Sequence, residues 1–174
     1  MQCLFHVSEQ PGIEVFEPRP PPVSDAGIPS PVVWAVDESH LANYLVPRDC
    51  PRVAFRRAVT TSPQDRDRFF GTGGGAPYVV VIDAAWFERA VASVLWVYEF
   101  SSDPFVCADA NAGYFVASTA ITPIGCRQVD NPLAELVTRG AELRVVHDLT
   151  GLAAIVAASS LAFSCIRMRN AAPR

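Results

Sequence analysis

Between positions 78 and 129, short runs of β-branched and aromatic residues follow one another with little but turn residues between them: YVVVID, VLWVYEF, FVCAD, GYFVAS and ITPIGCRQV. Only one short helical stretch, AAWFERAVA, interrupts the series. Runs of this composition, bounded by Gly, Pro, Asn, Asp and Ser, read as strands. Strands that come in series with irregularly interspersed helices predict an α+β fold, not a parallel sheet wound by regular βαβ units.

The rest of the chain agrees with that class. CLFHV (3–7), VVWAV (32–36) and RVAFRRA (52–58) read as further strands. Asp37 stands where a helix N-cap belongs, with Glu38 suited to the first turn, and the helix ends in LANYL before Pro47. Ser62 followed by Pro63 predicts a second helix start. NPLAELVTRG, closed by Gly140, and GLAAIVAAS predict two more helices, with ELRVV and FSCIRMRN as strand segments. EPRPPPVSDAGIPSP (17–31) is too rich in proline for regular structure and reads as a long surface loop. GTGGGAP (71–77) reads as a flexible connector. No internal repeat or linker divides the 174 residues, so a single domain over 1–174 is expected.

Composition removes several classes of function. All 14 basic residues are arginine, which excludes lysine Schiff-base chemistry and the P-loop lysine. A net charge of -4 argues against generic nucleic-acid binding. The opening MQCLFHVSEQPG lacks the basic and apolar regions of a signal peptide, and LTGLAAIVAASSLAF is too short and broken to span a bilayer. Five scattered cysteines without a CxxC pair suit small buried residues in a reducing cytoplasm. His6, His40 and His147 lie far apart without ligand spacing, so no metal is expected. Oligomeric state is open.

One constellation points to chemistry. LFHVS places His6 and Ser8 on the same face of a strand. The arginine- and proline-rich segment with Arg19 follows, and then a strand runs into a helix that ends in A-N-Y, with Tyr44. This order resembles the catalytic domain of the ADP-ribosyltransferase superfamily, nearest in wording to the poly(ADP-ribose) polymerase branch. The resemblance covers residues 4 to 45 and about 113 to 123. It implies a split pair of small sheets with peripheral helices, and NAD as the substrate. His6 would orient the ligand beside Val7 and Ser8, Arg19 would fall in the donor loop, and Tyr44 would stack on nicotinamide, where an aromatic face attracts a pyridinium. The activity implied is transfer or hydrolysis at the nicotinamide-side N-glycosidic bond.

The chain departs from that family where a glutamate normally engages the ribose 2′-hydroxyl. The corresponding segment is GYFVAS, with Gly113 in the glutamate's place. Glu99, Asp109 and Asn111 are the candidates to compensate. A catalytically inactive nucleotide-binding module is the alternative. A further alternative resembles the RNA 2′-phosphotransferases, with Arg48, Arg52, Arg167 and Arg169 as anion holders. As a whole the chain also resembles an uncharacterised bacterial domain family with segments similar to LFHVSE, VPRDCPR and IRMRNA.

Overall fold

A computed structural model describes residues 3–20, 31–71, 75–76 and 78–172. The fold is α+β, with one six-stranded and one four-stranded sheet. The chain forms two compact units, Met1–Leu41 with Val94–Val129, and Ala42–Ser93 with Asp130–Arg174. Most of the loop expected over 17–31, and most of the GTGGGAP connector, lie outside the described residues.

The first unit is built on β1 (Cys3–Ser8), β2 (Val33–Val36), β5 (Leu95–Ser101), β6 (Val106–Asp109), β7 (Tyr114–Ala117) and β8 (Gly125–Val129). The order across the sheet is β6-β7-β2-β1-β5-β8, and each pair is antiparallel. Successive side chains of a strand alternate faces and directly paired residues share one. One face therefore carries Leu4, Val33, Ala35, Tyr98, Phe100 and Ala117, which form an apolar cluster closed by Phe16 and Ile121. Phe16 and Ile121 exchange backbone hydrogen bonds of 2.8 and 3.0 Å. The buried Tyr98 hydroxyl accepts from Ile13 N at 3.0 Å and donates to Gln10 O at 2.8 Å, pinning residues 10–16 across this face.

In the second unit, β3 (Arg52–Arg56), β4 (Tyr78–Asp83), β9 (Ala141–Val146) and β10 (Ala162–Ile166) form a sheet in the order β10-β3-β4-β9. Its β4–β9 pair is parallel. α1 (Pro63–Phe70) starts as its sequence dictates: Ser62 Oγ accepts from Asp65 N at 3.1 Å, and Pro63 opens the first turn. Its Phe69 and Phe70 rings meet Phe55 of β3 edge-on, 5.5 and 5.7 Å between centroids. α2 (Phe87–Val91) and α3 (Pro132–Thr138) are short, and α4 (Leu149–Ala157) packs on β3, β4 and β10. Burial of Val53, Phe55, Val79, Val81, Leu149 and Val156 forms this core, each large side chain contributing about 1.5–3 kcal/mol.

No helix among the described residues is long and apolar enough to cross a membrane. The cysteines differ from the buried positions expected of them: all five are free, Cys50 is buried, and Cys107, Cys126 and Cys165 are exposed. Cys107 lies on an edge strand exposed at every position, and Cys126 and Cys165 alternate with better-covered neighbours on β8 and β10.

Candidate functional site

His6 lies at the heart of the first unit's sheet, on β1 between β2 and β5. Its ring is 4.9 Å from that of Phe16 and 6.4 Å from that of Phe100, and Nδ1 donates to Trp34 O at 2.9 Å. A carbonyl can only accept, so Nδ1 carries the proton. Ser8, on the same face, is buried, and its Oγ accepts from Gln10 N at 3.0 Å, closing the turn that follows β1. Val7 points to the opposite face.

The residues expected to compensate for the missing glutamate do not converge on His6. Glu99 pairs across the strands with Phe5, whereas His6 pairs with Tyr98. Glu99 therefore shares the face of Phe5 and Val7, and His6 the other. Asn111 is exposed in the turn after β6, where its N–H donates to Asp109 Oδ1 at 2.8 Å. Arg19 is exposed, and its backbone exchanges two 3.0 Å hydrogen bonds with Val32.

Gly113 occupies a crowded position instead. Its φ of +66° places it in the left-handed region, and its carbonyl accepts from Asp37 N at 3.1 Å. A Cβ here would overlap the imidazole of His40, at 2.5 Å from Cγ, and would lie 2.9 Å from Asp37 Oδ2. The space beside Gly113 is thus taken by an acid–base pair from the turn after β2. Asp37 caps that 3-10 turn, Glu38–Tyr44, by accepting from His40 N at 3.0 Å. The same carboxylate oxygen lies 2.7 Å from His40 Nδ1 and accepts from Ser39 Oγ at 2.8 Å. Burial pushes the Asp37 carboxyl up, but the hydrogen bonds from His40 and Ser39 and the charge of His40 outweigh it and hold it below the usual value. Ser39 Oγ lies 3.0 Å from Nδ1, the wrong nitrogen for a serine nucleophile served by Nε2, so these three residues are not a hydrolytic triad.

His40 is only 3% exposed, and its Nε2 is buried without a hydrogen-bond partner among the described residues; Trp34 Nε1 shares that condition. Such an atom costs on the order of 1–3 kcal/mol when left unsatisfied. Histidines scattered through the sequence gave no reason to choose this one. The usable signal was local: Asp37 and His40 stand three residues apart on a helical turn, a spacing that lets side chains meet.

Tyr44 and Arg48 belong to the second unit. There Arg52, 2% exposed, sets its guanidinium 5.1 Å from the centroid of the Tyr44 ring. Its Nε donates to Asn43 O at 2.7 Å, and Nη1 donates to Cys50 O at 2.8 Å and Arg48 O at 3.4 Å. The Tyr78 hydroxyl donates to Asn43 Oδ1. Arg52 thus ties the A-N-Y turn to the segment before β3 and does structural work where a phosphate contact was one expectation. The side chain of Arg48 is exposed, as is that of Arg169, and Arg167 Nε lies 3.8 Å from Asp49 Oδ1. No group of three or more His, Cys, Asp or Glu among the described residues is placed to hold a metal ion.

A family model described as "Family of unknown function (DUF6886)" matches residues 5–171. No curated protein and no solved structure matches the chain.

Proposed function

The chain belongs to this family of unknown function, DUF6886, and we propose that it binds NAD or an ADP-ribosyl derivative on an ADP-ribosyltransferase-like scaffold. The reading is supported by the order of the histidine strand, the arginine–proline segment and the A-N-Y turn, on a chain built from two sheets with helices beside them. The observation that favours binding over ordinary ADP-ribosyl transfer is Gly113. Its positive φ and the imidazole against it leave no room for the glutamate of the ADP-ribosyltransferase superfamily. Loss of one preorganised catalytic group costs ~10²–10³ in rate, and Glu99 on the far face of the sheet does not stand in for it beside His6. The proposed setting is the cytoplasm, where free thiols stay reduced.

Cleavage or transfer at the nicotinamide-side glycosidic bond is the second reading. It is favoured by the Asp37–His40 pair, which brings a carboxylate and an imidazole to the place of the missing acid. Phosphate transfer from RNA ends loses support, because Arg52 is committed to backbone carbonyls.

Thermal unfolding with NAD, ADP-ribose and a 2′-phosphorylated RNA, alongside an assay for nicotinamide release, tests the proposal. A raised melting temperature with NAD or ADP-ribose and no release supports binding. Release of nicotinamide moves the conclusion to the second reading, and no shift with any of the three ends both.

A further inference from the structure

We propose that residues 9–16 of the first unit are a gate, a strap that lifts while the sheet beneath stays folded, with the Tyr98 hydroxyl as its latch. The strap lies across the face that carries His6, Tyr98 and Phe100. It contains no helix and no strand, and meets regular pairing only in the isolated bridge of Phe16 with Ile121. Glu9, Gln10, Pro11, Gly12, Glu14 and Val15 are exposed, Ile13 is half-buried and Phe16 is buried. Its one full anchor is therefore the Phe16 ring, 4.9 Å from the ring of His6 and 5.0 Å from each of those of Tyr98 and Phe100. All three of these rings belong to the sheet, and Phe16 sits among them as a plug.

Besides that ring, a few hydrogen bonds hold the strap down. Ser8 Oγ accepts from Gln10 N, and Phe16 exchanges its pair with Ile121. Between them the Tyr98 hydroxyl accepts from Ile13 N and donates to Gln10 O, so one oxygen atom carries two of the contacts. The sheet is held differently, for β1 is paired with β5 over all six of its residues and with β2 on its other side. A segment with exposed backbone, few hydrogen bonds and one buried ring belongs to the low-stability end of a fold, and a central strand to the high end. Gly12, at φ +67°, lets the strap turn through the left-handed region without steric cost. His6 is only half-buried with the strap down, whereas Tyr98 and Phe100 are 1% and 0% exposed. Lifting Phe16 therefore extends a surface already open at the imidazole into an aromatic floor. A ligand that touches that floor selects the open form, and its apparent affinity scales with the fraction of molecules in that form. This gating goes beyond the nucleotide reading and holds whatever the ligand is.

Native-state hydrogen exchange of the full chain in rising urea tests the gate. The amides of Phe16 and Ile121, which bond to each other's carbonyls, report the strap. They are expected to exchange at least about a hundredfold faster than the slowest amides of β1 and β5, and with almost no dependence on urea, since lifting a strap exposes little surface. Tyr98→Phe keeps the ring against Phe16 and removes both hydroxyl contacts. Neither reporting amide bonds to that hydroxyl, so their acceleration, about tenfold beyond any change in the slow amides, is the mark of one unit that opens together. Reporting amides that share the rate and urea dependence of β1 and β5 would mean that the strap opens only when the sheet unfolds, which overturns the proposal. Amides that open locally yet keep their rate in Tyr98→Phe overturn it as well, because the hydroxyl is then no latch. Should Tyr98→Phe not fold, the urea dependence in the unaltered chain decides alone.

Discussion

Glu99 and His6 stand on neighbouring strands of one sheet yet face opposite ways, because Glu99 is paired with Phe5 and His6 with Tyr98. A catalytic partnership between them would require a common face. Their contributions to stability should therefore add. In a double-mutant cycle of His6→Ala and Glu99→Ala, followed by urea unfolding, the coupling energy is expected to stay within about 0.5 kcal/mol. A coupling well above that value would show that the two side chains communicate despite the register.

Gly113 gives the sharpest test of whether a glutamate could act beside His40. Gly113→Ala combines a left-handed backbone with a methyl group driven into the His40 ring, and each effect alone costs about 1–3 kcal/mol. A loss of roughly 2–5 kcal/mol in urea unfolding is expected. Gly113→Glu, which introduces the glutamate of the ADP-ribosyltransferase pattern, should destabilise at least as much and bring no NAD cleavage. A stable Gly113→Glu protein that releases nicotinamide would refute this account of the position.

The strands themselves could be read from the chain, because apolar runs and turn residues are local signals. YVVVID became β4 and VLWVYEF gave β5, and Ser62–Pro63 opened α1 as its cap chemistry requires. The sheet order was not local. β1 lies between β2 and β5, and β7 reaches back to pair with β2, contacts fixed by packing between segments far apart in sequence. That return of β7 brings Gly113 onto His40, so a glycine that reads as a lost catalytic residue is also a steric requirement of a distant ring. Arg52 was equally hidden. Nothing beside it in the sequence announces that its guanidinium is buried on backbone carbonyls.

Arg52 and Tyr44 should behave as structural partners. Arg52→Ala would strand the buried carbonyls of Asn43 and Cys50, costing about 2–4 kcal/mol by the usual penalties for unsatisfied polar groups. Arg52→Lys should recover little of it, since an ammonium lacks the planar fork that reaches several carbonyls at once. Tyr44→Ala loses a partly buried aromatic and its cation–π contact, and is expected to cost more stability than Tyr44→Phe, which keeps the ring under the guanidinium. Equal stability of Tyr44→Ala and Tyr44→Phe in urea would remove the ring from this role.

The cysteines should separate by reactivity. Burial pushes the Cys50 thiol up to about 12, against a partial lowering by the charge of Arg52, so almost no thiolate is present near neutrality. Cys107 and Cys126 are exposed. Iodoacetamide at about pH 8, followed by peptide mass spectrometry, should label those two at least about tenfold faster than Cys50 in the folded chain, and all alike in denaturant. Fast labelling of native Cys50 would place it outside the core.

Asp37 ties the acid sensitivity of the fold to the candidate site. Its folded carboxyl titrates below the usual value, burial being outweighed by the hydrogen bonds from His40 and Ser39. The unfolded chain therefore takes up this proton first as the pH drops. The stabilisation is complete above the unfolded value of about 3.9 and disappears as the pH falls through the lower, folded one. Asp37→Asn keeps the shape and lacks the titration, so unfolding free energies of the two proteins should differ most near neutrality and converge as the pH falls below about 3.9. A difference that stays constant over that range would mean that the 2.7 Å contact with His40 Nδ1 adds no charge-dependent stability.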